Sequence, residues 1–221
     1  MVKMMKISTL AGESFGYLRE SFAGKWTKWI LLVIATILLA LPLLGYMLNV
    51  FRGEKPAPDV KNWGTLFIDG IKLLILFIIY AIPAIIIAIV AVAPIVMAAL
   101  SGRGAAAVMN AIAGSLPWFV LLVIVAFVLH LVSNIGIVRF ARTGRMGEAF
   151  NFGAIFETIG KIGWLHYILA LIVLLVIIGI IEFICRLIPV IHLIVLILIM
   201  PFIILFEARY ICLLYDSAGT A

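Results

Sequence analysis

Charge is scarce in this 221-residue chain: Asp, Glu, Lys and Arg make up 12% of it, against 67% hydrophobic residues. A water-soluble domain carries about a quarter charged and about half apolar residues, so an ordinary globular core is excluded. A chain this long has no interior large enough to hide so much Leu, Ile, Val and Ala from water. Cysteine is scarcer still, with only Cys185 and Cys212. They flank the last apolar segment, out of disulfide reach across a spanning helix, and both are expected to be free thiols. The chain has no glycine-rich phosphate loop, serine nucleophile elbow, zinc-helix motif or rhomboid-like motif. It also lacks a loop long enough to fold into a soluble catalytic domain. His, Cys and Glu occur as scattered singles without metal-ligand spacing. Hence neither a metal nor another cofactor is expected, and the chain is read as a non-enzyme. The formal charge is +6, but the sixteen basic residues form no run. That pattern suits anionic lipid headgroups and offers no nucleic-acid stripe.

Apolar runs of membrane length are abundant. About 20 mainly apolar residues cross the hydrocarbon core as a helix. Segments at roughly 26–50, 72–100, 117–139, 164–185 and 189–213 meet this requirement. Five crossings are expected, or six if 101–116 also enters the membrane. The fold class is therefore an all-α, multi-pass membrane protein, one integral domain over residues 1–221, placed in the cell membrane. The first run starts near Ile30 after a polar lead-in and reads as a retained anchor. Trp26, Trp29, Trp118 and Trp164 stand at run ends, where indole rings settle at headgroup level. Pro83 and Pro94 interrupt the second run and predict a tilt, kink or break. Within 1–25, Ile7, Leu10, Ala11, Phe15, Leu18 and Phe22 recur at helical steps. This helix is expected either to lie on the membrane surface or to pack on the bundle by that stripe.

The chain also matches itself. Asn62-Trp63-Gly64-Thr65-Leu66-Phe67 aligns with Asn151-Phe152-Gly153-Ala154-Ile155-Phe156, and the same offset pairs Trp29 with Trp118. The expected units are 26–100 and 117–185, with 189–213 as an additional span. An even number of crossings would separate them, giving parallel repeats related by an axis along the membrane normal. Gly64 and Gly153 are expected to allow a sharp bend or a close helix approach. With five crossings the basic residues divide almost equally between the two sides, so the positive-inside rule gives no orientation.

Gly45-Tyr46, Arg52-Gly53-Glu54, Pro56, Trp63-Gly64 through Phe67, Asp69-Gly70 and Lys72 resemble a family known only as a domain of unknown function, common in archaea. The resemblance covers nearly the whole chain. More distantly, the chain resembles the membrane domains attached to some glycerophosphodiester phosphodiesterases. The resemblance implies a multi-span helical protein and carries no activity onto particular residues.

The candidate lipid- or ligand-binding residues lie in the loops 51–71 and 140–163 and at the end of the last run. They are Trp63, Phe67, Asp69, Lys72, Arg142, Arg145, Phe152, Phe156, Glu207 and Arg209. Their mixture of rings and charges suits a headgroup region, where the polar members could form a mouth between the repeats. A second set carries polar groups at membrane depth: His130 with Asn134, and Glu182, Arg186 and His192. Such groups serve a relay or binding site, or else an interhelical hydrogen bond or a snorkelling pair. Three readings follow. The first is a non-enzymatic protein that binds or organises membrane lipid, itself or another membrane protein. The second is a small transporter or channel, with Ala84, Ala88, Ala91 and Ala98 as an oligomer contact. The third is an enzyme acting on lipid headgroups.

Overall fold

The structure is a computed structural model and describes residues 5–38, 40–187 and 192–219. Its helices are α1 (Ile7–Phe22), α2 (Trp26–Ile37), α3 (Leu41–Phe51), α4 (Trp63–Leu100), α5 (Ala105–Thr143), α6 (Phe152–Ile162), α7 (Trp164–Arg186) and α8 (His192–Asp216). A 3-10 turn, Met146–Phe150, precedes α6. There is no strand among the described residues, as the all-α class requires. Among the described residues four helices, α4, α5, α7 and α8, are long and apolar enough to cross a membrane. At about 1.5 Å per residue each exceeds the roughly 30 Å hydrocarbon core. The start of the expected 189–213 run and residues 1–4 of the N-terminal segment lie outside the described residues.

The chain divides into two compact units, Met1–Leu76 with Asn134–Ala221, and Phe77–Ser133. The smaller unit holds the distal part of α4 and most of α5, joined through Gly102 and Gly104, both at positive φ. The most apolar stretch of α5 is only 6% buried and that of α4 17%. Apolar surface on that scale suits lipid contact and is not that of a water-soluble monomer. Pro83 and Pro94 lie inside an uninterrupted α4, and Pro117 inside α5, so of the tilt, kink or break expected of the second run the break does not occur.

The larger unit is organised around α8, whose residues from Ile203 to Tyr215 are almost all buried. Helices α1, α2, α3, α6 and α7 pack on it. The buried residues of α1 are Leu10, Ser14, Tyr17 and Ser21, one stripe at helical spacing. Ser14 Oγ donates to the Leu10 carbonyl at 2.7 Å and Ser21 Oγ to that of Tyr17 at 2.6 Å. Each hydroxyl is satisfied within its own helix, so two small side chains can be buried where α1 packs. Beside them, Phe15 meets Phe206 and Phe22 meets Phe202, with ring centroids 4.6 and 4.4 Å apart.

The first expected span, 26–50, is not one crossing helix. Ala40 takes a left-handed backbone (φ 58), Pro42 lies in the first turn of α3, and α3 folds back on α2. A straight helix would separate residues 28 and 46 by about 27 Å. Instead the Lys28 amine lies 5.7 Å from the Tyr46 ring centroid and donates to the Ala57 carbonyl at 3.0 Å. Trp29 Nε1 donates to the Leu198 carbonyl at 3.1 Å, one turn before Pro201, tying the pair to α8. Helix α3 then meets α4 backbone to backbone. A Cβ on Gly45 would lie 2.0 Å from the Leu66 carbonyl oxygen, and one on Gly70 1.9 Å from that of Leu41. Gly64 and Gly153, expected to allow close approach, have no such neighbour: the first has open space and the second only Asn151 Oδ1 at 3.9 Å.

Candidate functional site

The polar groups of the larger unit collect where α3, α5 and α8 end and α4 begins. Asp69, on the first turns of α4, accepts from Arg52 at 2.7 Å and from Lys72 at 2.9 Å, and Arg52 also reaches Asn49. Arg142 joins three segments. Its Nε donates to the Phe51 carbonyl at 2.9 Å, and its NH2 pairs with Asp216 at 2.8 Å. Its guanidinium fills the space a Cβ on Gly53 (φ 89) would need. The buried Cys212 thiol donates to the Val50 carbonyl at 3.2 Å, closing the same junction. Glu148, in the turn before α6, accepts from Arg139 at 2.6 Å and Arg145 at 3.2 Å, with Asn151 Nδ2 also donating to it. The hydrogen bond from Arg139 leads the causes that hold the Glu148 carboxyl below the usual range. Asn151 in turn caps α6 by accepting from the Ala154 N–H at 3.3 Å. Asp69 and Arg142 thus tie helix ends together, whereas Lys72 and the exposed Arg145 each pair with a carboxylate three residues away in their own segment.

Arg209 is different. Its residue is 2% exposed, yet no hydrogen bond or ion pair reaches its guanidinium among the described residues. It lies over the face of Tyr17, 5.1 Å from the guanidinium carbon to the ring centroid. A ring face attracts a cation but accepts few of the five N–H donors. The Tyr17 hydroxyl is itself committed, donating to the Glu54 carbonyl at 3.3 Å. Burial pushes that phenol above its ordinary pKa. Arg209 and Tyr17 line a cavity of about 540 Å³ whose other walls are Glu13, Gly16 and Glu20 of α1 and Lys55 and Pro56 of the α3–α4 loop. Glu13, Gly16, Tyr17 and Glu20 stand at steps of three and four, one face of a helix. That spacing is present in the sequence, but the apolar stripe of α1 drew the reading and neither carboxylate is among the candidates named from it. Lys55 comes from the loop, and nothing in its local sequence marks it.

The remaining candidates are dispersed. Trp63 and Phe67 are half-buried, Phe152 is exposed, and Phe156 packs on Trp164 at 5.9 Å. Glu182 and Arg186 are exposed and 4.0 Å apart, a surface pair. Glu207 is half-buried and has no ion-pair partner among the described residues. His130 is half-buried in the smaller unit, where Ser133 Oγ donates to its carbonyl at 3.2 Å. Asn134 is buried. His192 keeps a buried Nε2 without a partner among the described residues. No three His, Cys, Asp or Glu side chains gather as a metal would need, again among the described residues.

Residues 29–190 match a family described as "Protein of unknown function (DUF4013)". No curated protein and no solved structure matches the chain. The match bears out the expected domain of unknown function, and no finding supports a likeness to glycerophosphodiester phosphodiesterases.

Proposed function

The chain belongs to the DUF4013 family of proteins of unknown function, and from that premise we propose that it is a non-enzymatic, multi-pass protein of the cell membrane that holds a phospholipid headgroup beside Arg209. One observation carries this reading: a buried guanidinium with no anionic partner among the described residues lines an open cavity. An unpaired buried charge is costly, and the cost falls when an anion supplies acceptors for its donors. A phosphodiester supplies them in the geometry a guanidinium prefers. The pairs formed by Asp69, Glu148 and Asp216 are by contrast already complete and serve the fold.

The fold-back of 26–51 also supports an orientation. With α4, α5, α7 and α8 each crossing once, Arg103 and Arg186 fall on one side. Every other Lys and Arg among the described residues falls on the opposite side, with the cavity. The rule that basic residues stay inside then places the Arg209 cavity toward the cytoplasm.

Native mass spectrometry of the full chain, extracted gently from its own membrane, tests the reading. The expected result is a discrete adduct of phospholipid mass, present at less than a tenth of that occupancy on Arg209→Gln. A bare wild-type mass overturns it. A second reading, a small transporter, is favoured by the broken α2–α3 hairpin, since irregular backbone at membrane depth lines solvated paths. Uptake of the adduct's labelled headgroup into proteoliposomes, absent from empty vesicles, would decide for it.

A further inference from the structure

We propose that the Arg209 cavity selects a phosphate ester that carries a primary amine, which rests on the headgroup reading above. The walls hold both signs of charge. Arg209 is buried on the cavity wall beside Tyr17, and exposed Lys55 adds a second cation. Glu13 and Glu20, both exposed, stand on α1 to either side of Tyr17 along its face. A purely anionic headgroup would satisfy Arg209 while sharing the cavity with two carboxylates. A purely cationic one would face the buried guanidinium. A zwitterion avoids both conflicts: its phosphate takes Arg209 and Lys55, and its ammonium takes Glu13 or Glu20. The ammonium of a primary amine brings three N–H donors to those carboxylates, whereas a quaternary amine brings none.

Gly16 leaves the room for this. A Cβ there would meet nothing within 4 Å, so the middle of the α1 face opens onto the cavity. Gly16 therefore gives a variant that blocks the cavity while favouring the helix, since leucine is a better helix former than glycine.

The test titrates purified, delipidated full-length protein with soluble glycerophosphoethanolamine, glycerophosphocholine and glycerophosphoglycerol. The corresponding diacyl lipids are then offered in nanodiscs. The ethanolamine headgroup is expected to bind at least tenfold tighter than the other two. Glu13→Gln with Glu20→Gln is expected to remove that preference and leave glycerophosphoglycerol no weaker. Gly16→Leu is expected to abolish binding of all three with a thermal transition no lower than that of the wild type, which keeps the test sound should Arg209→Gln fail to fold. Preference for the soluble headgroup supports a site that reads the headgroup alone. The same preference confined to nanodiscs supports a site for the intact lipid. Equal binding of the three headgroups overturns the amine selectivity and leaves the phosphate reading standing. Binding of none, soluble or in nanodiscs, overturns both.

Discussion

Gly45 and Gly70 set how closely α3 and α4 approach, because each lies against a carbonyl of the other helix. Gly45→Ala and Gly70→Ala must push the helices apart or strain them, at an expected cost of about 1–3 kcal/mol or more. Gly64→Ala, with open space beside it, is expected to change stability by less than about 0.5 kcal/mol. Thermal unfolding in one detergent compares the three. Glu148 gives a pH signature. Its folded pKa is depressed, chiefly by the Arg139 hydrogen bond, so the stabilisation is complete above the unfolded value of about 4.3. It is lost as pH falls through the folded value. Wild-type protein should therefore lose more thermal stability between pH 5 and 3 than Glu148→Gln does. Equal losses would detach the carboxylate from acid sensitivity.

The α2–α3 pair shows how a local signal decides a larger outcome. Lipid demands length, so the runs that became α4, α5, α7 and α8 are legible in composition alone. Residues 26–50 have the same hydropathy whether they cross or return, and the difference lies in the turn around Ala40 and Pro42. A proline in the first turn of a helix is a start signal, and it separates this site from Pro83 and Pro94, which sit deep within α4. The packing face of α1 escapes composition for another reason. Ser14 and Ser21 count as polar, yet their hydroxyls turn back onto their own helix and the residues are buried. Arg209 is legible as a lone cation at the end of a run, while its cavity depends on where α1 docks. Two predictions belong here. Trp29→Phe removes the bond to the Leu198 carbonyl and is expected to lower stability by about 0.5–1.5 kcal/mol, read by thermal unfolding. Single cysteines at Thr27 and Lys61, in a chain with both native cysteines replaced, are expected to react with an impermeant maleimide from the same side of a sealed vesicle. Labelling from opposite sides would restore a crossing helix over 26–50.

For the whole molecule, the proposed single crossing of each of α4, α5, α7 and α8 would put residues 61 and 145 on one side and Arg103 on the other. Cysteines at these three positions should give two labels from the inside and one from the outside. Any other pattern removes the orientation argued from the basic residues. The larger unit assembles segments far apart in sequence, and α8 is the piece they share. This bears on the order in which the protein is made. A ribosome delivers α1, α2 and α3 well before α8, so the three earlier helices must wait for their partner. Trp29 meets its carbonyl only after residue 198 has emerged, and Arg142 meets Asp216 later still. Tertiary structure in this unit is consequently closed only once α8 has been made.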